Sequence, residues 1–365
     1  MASGLESLCG ACISEGYEYC EDANAPGTTG VGPIPLNNPD GIRWSTSLGY
    51  LSISRTRLNL TIRANVSAKR IIFSQVAKKT IATGVEVVSG GETFVVEGDE
   101  IIMSAGAIAS PQLLMLSGIG PKQHLERHGI ECLIDAPGVG QNLRDQPLLG
   151  LKWVTKPEVD LDPLGPSGQV LLRYTAEGSS IENDMIVYMM AVASDRPERG
   201  GLRESPVGIQ MNLCINLAKG KGEVKLKSGD YREQPDLDYN YLTEEEDRRR
   251  FRDGIKMLVD LENHPDMAAI IDERLCPLDS ELDSEESMNA WMSRDVTTGH
   301  HISCTNKMGP EEDNLAVVDQ SGRIHGADGI RVVDASIMPE CVRANINVTV
   351  MTMAERIADM IAVGR

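Results

Sequence analysis

Two adjacent histidines, His300 and His301, follow Thr297-Thr298-Gly299 and precede a run of small polar residues, Ser303-Cys304-Thr305-Asn306. Such surroundings present a side chain on a loop rather than on an apolar face, which makes the pair candidates for chemistry. Downstream, the apolar residues Ile330, Val332 and Val333 end at Asp334, Ala335 and Ser336, and an Asn-x-Asn pair, Asn345 and Asn347, comes next. The other four histidines, His124, His128, His264 and His325, lie in polar or turn contexts and are expected at the surface.

The elements that must position these residues are readable around them. Residues 330 to 333 predict a short buried strand meeting a polar loop at its C-terminal edge, where ligands sit in open α/β sheets. After Asn347, the spacing of Val350, Met353, Ala354, Ile357, Met360 and Ile361 predicts a helix over 348–363. The N–H groups at its start favour anionic or electron-rich ligand atoms. Earlier, β-type runs are expected at 60–62, 70–73, 84–88, 93–96 and 100–103. The last leads through Ser104-Ala105-Gly106-Ala107 to a helix expected to start at Ser110-Pro111. Strands at 151–154, 169–172, 184–190, 207–215 and 223–226 predict an antiparallel sheet. Thr243 and Glu246 read as a capping box for a helix through about Asn263, and Asp283 with Glu286 as the start of another. The charged run 244–250 is expected to lie on a solvated helix face. Residues 1–50, rich in Gly, Pro and Asn, are expected to be surface loop.

Composition narrows the function classes. The chain has 365 residues, 41% of them apolar, enough for a sizeable core. With 54 acidic against 35 basic residues the formal charge is −19, which disfavours nucleic acid and anionic membrane surfaces as partners. No apolar stretch is long enough to span a bilayer and no secretory signal is visible, so a cytoplasmic location is expected. Eight scattered cysteines read as free thiols, and Cys9-x-x-Cys12 lacks the further ligands of a zinc site, so no metal is expected. Gly138-Val-Gly-Gln-Asn142 lacks the third glycine and the strand-to-helix context of a nucleotide fingerprint.

The run from Ser104 to Gly120, SAGAIASPQLLMLSGIG, resembles the second signature of the glucose-methanol-choline (GMC) flavin oxidoreductases. His301-Ile-Ser-Cys-Thr-Asn-Lys-Met-Gly309 and Gly329-Ile-Arg-Val-Val-Asp-Ala-Ser-Ile-Met-Pro339 resemble their C-terminal core, with the choline dehydrogenase branch nearest. The resemblance implies a mixed α/β fold, with a partial Rossmann-like FAD-binding domain and an antiparallel-sheet substrate domain. It divides the chain into 1–150, 151–300 and 301–365, the last returning to the FAD domain. It implies FAD as cofactor, a small alcohol as substrate, and oxidation by hydride transfer to the flavin. His301 matches the family's active-site histidine and Asn345 its partner position. By chemistry, the histidine assists removal of the O–H proton and the amide holds the oxygen as charge develops. Asp334 and Ala335 match positions at the flavin's phosphate and ribityl region, Asn347 one near the flavin ring, and Ala68, Ala105 and Gly106 positions near the adenosine half.

Departures from the pattern set further expectations. Asp145-Gln146-Pro147 stands where many relatives have Asp-His-Pro, and Ala68 replaces a customary valine. No Gly-x-Gly-x-x-Gly follows a strand near the N-terminus, although a dinucleotide relies on that turn for its pyrophosphate. The expectation is therefore a truncated chain lacking the family's N-terminal FAD-binding portion, or one paired with a separate N-terminal polypeptide. A lyase of the hydroxynitrile type on the same scaffold and an inactive association subunit are the rival readings.

Overall fold

Residues 3–77, 79–159, 161, 166–192, 197–198, 201–202 and 208–364 are described by a computed structural model. Along Pro147–Thr155 every second residue is buried from end to end, as the pleat of a strand requires. It belongs to a seven-stranded sheet in which Gly30–Pro33, Gly168–Tyr174, Met185–Val192, Gly208–Ile215, Pro147–Thr155 and Ile271–Cys276 are neighbours in that order. Thr297–Thr298 pairs with the other end of Pro147–Thr155, and every pairing in the sheet is antiparallel. The expected strand 207–215 is thus present from Gly208, while Val207 lies outside the described residues.

The helix Glu245–Glu262 packs on this sheet, with Phe251, Ile255 and Leu258 fully buried among Leu213, Met211 and Trp291. Burying each of these side chains is worth roughly 1.5–3 kcal/mol. Close approach requires Gly254, since a Cβ there would lie 2.8 Å from a methyl of Leu213 and from the Tyr174 hydroxyl. The same helix overturns two expectations. Thr243 bonds back to the Asn240 carbonyl instead of capping, and Glu244 stands at the N-cap. The charged run is also not wholly solvated. Arg250 is fully buried between Asp184 and Asp247, themselves buried, because the side of the helix carrying it faces the sheet. The next long helix, Glu285–Asp295, is capped by Ser284 rather than Asp283.

Within 1–50 the described residues, from Ser3 on, are more regular than their composition implies. A helix at Ser3–Ser14 buries Leu8, Ala11 and Cys12 in the main core, an i, i+3, i+4 set hidden among glycines. Gly30–Pro33 then forms the sheet edge. All eight cysteines are free thiols.

A second core gathers Met103, Leu114, Met115, Ile119, Val318, Ile330, Val332 and Ile357. Around it Ser67–Val76, Lys79–Ser89 and Glu92–Glu97 form antiparallel pairs, while residues 60–62 are irregular rather than a strand. Ile101–Met103 and Ile330–Val332 pair in parallel, side by side at their C-terminal ends. The helix after the first of them runs Gly106–Leu116, so Pro111 lies inside it and not at its start. A proline there removes the N–H that the Ala107 carbonyl would accept. That carbonyl accepts instead from the Thr305 hydroxyl at 2.6 Å, which lets the helix continue. The last helix, Asn347–Ala362, buries Ile357 and half-buries Val350, Met353 and Ile361. The architecture is a mixed α/β one with a large antiparallel sheet. Among the described residues no helix is long and apolar enough to cross a membrane.

Candidate active site

His301 is placed by the edge of the antiparallel sheet. The strand Thr297–Thr298 ends at Gly299, whose N–H donates to the Gln146 carbonyl at 2.9 Å. A Cβ at Gly299 would meet that carbonyl oxygen at 2.5 Å, so the approach needs glycine. The chain then turns through His300 at φ 63°, and the His301 N–H donates to Asp145 Oδ1 at 2.9 Å. The other Asp145 oxygen accepts from the hydroxyls of Tyr241 and Thr298. Asp145 is only 5% exposed, so three donors converge on a buried carboxylate. Burial and this carboxylate hold the Tyr241 phenol protonated well above its ordinary range.

Both ring nitrogens of His301 are engaged. Nδ1 lies 2.6 Å from Gln146 Oε1, and Nε2 lies 3.1 Å from Asn345 Nδ2. The Asn345 Oδ1 accepts from the Tyr188 hydroxyl at 3.0 Å. Gln146, 1% exposed, donates through Nε2 to the carbonyls of Val342 at 2.7 Å and Ala344 at 3.0 Å. Burial lowers the His301 pKa; the Asp145 charge opposes this, and neighbouring His300 adds to the lowering. A histidine so placed favours its neutral form and can accept a proton.

The loop continues beyond His301 to the second cluster. Cys304, Asn306 and Met308 donate their N–H groups to the carbonyls of Ala335, Ser336 and Ile337. Beside this ladder, Asp334 Oδ2 accepts from the Gly106 N–H at 2.9 Å and the Ser110 hydroxyl at 2.5 Å. Its Oδ1 accepts from the Ser336 N–H at 2.8 Å and so caps the short 3-10 turn Ala335–Ile337. Asp334 thereby ties together the turns that follow the two parallel strands. Gly106 has φ 87° and open space where a Cβ would stand, and the Ala105 N–H donates to the Ser110 hydroxyl at 3.2 Å.

Of the residues singled out from sequence, His301 and Asn345 meet directly. Ala105, Gly106, Asp334 and Ala335 form the second group, bridged to His301 by the 301–306 loop. Asn347 is exposed at the start of the last helix. Ala68 is exposed on the strand Ser67–Val76, opposite Val87. His124, His264 and His325, expected at the surface, are half-buried and hydrogen-bonded locally, and His128 is half-buried against the His124 ring. Sequence reasoning gave no role to Tyr188, Gln146, Asp145, Thr298 or Tyr241. The departure at Gln146 and the neighbouring Asp145 were visible as a motif, but nothing in a β-strand pattern marks Tyr188.

The chain is similar to known proteins in sequence and in fold. The GMC oxidoreductase family matches in two parts, residues 3–148 and 218–354. An oxygen-dependent choline dehydrogenase of Photobacterium profundum is 32% identical over 95% of this chain and 64% of its own length. Those of Pseudomonas aeruginosa and Acinetobacter baumannii are 34% and 33% identical over 96% of this chain and 66% and 67% of theirs. The chain thus spans about two thirds of the length of these relatives. Pyridoxine 4-oxidase from Mesorbium loti superposes with a TM-score of 0.85 at 28% identity, over 99% of this chain and 70% of that one. A formate oxidase shares the fold, with a TM-score of 0.87. The family's N-terminal part matches from residue 3. The expectation of a chain wholly lacking that part, and of a separate polypeptide supplying it, therefore finds no support in this match. On these matches the chain belongs to the GMC oxidoreductase family.

Proposed function

We propose that the site oxidises a small alcohol with FAD, His301 accepting the O–H proton and Asn345 holding the oxygen. The observation that carries this reading is the half-buried histidine whose Nε2 faces the Asn345 amide at 3.1 Å. An alcohol oxygen entering beside the pair can give its proton to the ring and take a hydrogen bond from the amide as negative charge grows. Asp145 fixes the height of the ring through its backbone N–H, and Tyr188 fixes the amide.

The residues present fit the cofactor at the strand ends. Gly106 leaves room for close approach, and the Asp334 carboxylate, filled by internal donors, braces the two turns rather than repelling a phosphate. Ala105, Gly106, Asp334 and Ala335 would line the cofactor through their backbone, with Ala68 toward the adenosine side and Asn347 toward the ring. In this scheme 301–365 serves the cofactor side, 151–300 the substrate side, and 1–150 both, its first part joining the large sheet and its 99–120 part the strand ends. FAD, when bound, supplies the acceptor for the hydride that leaves the alcohol carbon. The relatives' names favour a redox role over the lyase alternative, and choline is the first alcohol to try.

The test is anaerobic mixing of the FAD-loaded chain with choline, followed by flavin absorbance. His301→Ala should keep the yellow absorbance and lose at least about 10²-fold in the rate of bleaching. Bleaching at the unsubstituted rate would overturn the assignment.

A further inference from the structure

We infer that Gln146 is a positioning residue that fixes His301 in the tautomer with the proton on Nδ1, leaving Nε2 as the free base beside Asn345. This rests on the reading of His301 as the proton acceptor.

The argument is one of donors and acceptors. Gln146 Nε2 carries two protons, and two backbone carbonyls, Val342 at 2.7 Å and Ala344 at 3.0 Å, take them. Reversing the amide would set Oε1 against both carbonyl oxygens in a site that is 1% exposed, with water unable to relieve the clash. Oε1 must therefore face His301. An amide oxygen only accepts, so the Nδ1 that lies 2.6 Å from it must carry the hydrogen. In the neutral ring the lone pair is then on Nε2.

The far side of the ring is compatible with this tautomer. Asn345 Oδ1 is held by the Tyr188 hydroxyl at 3.0 Å, which turns Nδ2 toward His301 Nε2 at 3.1 Å. With the opposite tautomer, two N–H donors would point at each other there. One chain of hydrogen bonds thus runs from Tyr188 on the sheet through Asn345, His301 and Gln146 to the 342–344 backbone. Gln146, both of whose amide protons are taken by carbonyls, sets the direction of the chain, and the Tyr188 hydroxyl, able to donate or accept, follows it. The two carbonyls that orient Gln146 belong to the segment that carries Asn345, so acceptor and amide are set by one loop. Asp145 bonds the His301 backbone rather than its ring, so in this arrangement the side chain that contacts Nδ1 is Gln146.

The experiment is long-range ¹H–¹⁵N correlation of the full chain labelled with ¹⁵N-histidine, the His301 signals identified by their loss in His301→Ala. The unsubstituted chain should show pyrrole-type Nδ1 and pyridine-type Nε2. Gln146→Met, close in shape but without the acceptor, should shift His301 to a mixture or to the Nε2–H form. In FAD-loaded protein, Gln146→Met should slow flavin reduction by choline by about 10-fold or more, in line with the rate loss when a catalytic histidine is held in the wrong tautomer. A protonated Nε2 in the unsubstituted chain, or an unchanged tautomer in Gln146→Met, would overturn the inference. The tautomer is read without substrate or cofactor. Normal bleaching by His301→Ala would therefore sink the catalytic reading separately and leave the tautomer result standing.

Discussion

Replacing Asp145 by asparagine tests the frame of the site without any cofactor. The carboxylate accepts the His301 N–H on one oxygen and the hydroxyls of Tyr241 and Thr298 on the other, at 5% exposure. Asparagine offers one oxygen and one NH₂ in nearly the same volume. If its oxygen stays with the hydroxyls, the NH₂ meets the His301 N–H and a buried donor pair is left unsatisfied. If it turns over, the NH₂ faces two hydroxyls that must swing to accept from it, and at least one O–H is left without an acceptor. Either way one buried bond is lost, at a cost of about 2 kcal/mol, and two others lose their charged acceptor, at about 1 kcal/mol each. The expected loss is about 4 kcal/mol of stability, read as a lower guanidinium midpoint with an unchanged slope. Asp145 is also the group that raises the His301 pKa against burial, so its neutralisation should move the His301 titration further down. A loss below about 1 kcal/mol would refute this reasoning, and so would an upward shift in the titration.

Arg250→Met should cost about 3–5 kcal/mol, since it strands Asp184 and Asp247 in the core without their cation. Adding Asp184→Asn and Asp247→Asn should recover part of that loss in denaturant unfolding, and no recovery would count against the ion network. Alcohol oxidation by the FAD-loaded chain should fall as pH drops through the His301 pKa, because only the neutral ring accepts a proton. Burial places that acid limb below the ordinary histidine value of about 6.5. A kcat/KM profile losing activity already above about 7 would contradict it.

By itself the sequence determined the pieces whose signal is local. The apolar run ending at Asp334 is a strand, Asn347–Ala362 is a helix, and the runs expected between 151 and 215 form an antiparallel sheet. Periodicity records which face of an element is apolar, and long motifs mark His301 and Asn345. Neither says what a face will meet. That Arg250 is buried, that Leu8, Ala11 and Cys12 line the core, and that Thr305 takes up the carbonyl freed by Pro111 are outcomes of packing. The decisive bonds of the site join residues 155 to 157 positions apart, Gln146 and Asp145 with His301 and Tyr188 with Asn345. A glutamine's amide has no preferred direction in sequence. Only the fold, by bringing two backbone carbonyls to its nitrogen, gave it one, and with it the proton position on His301.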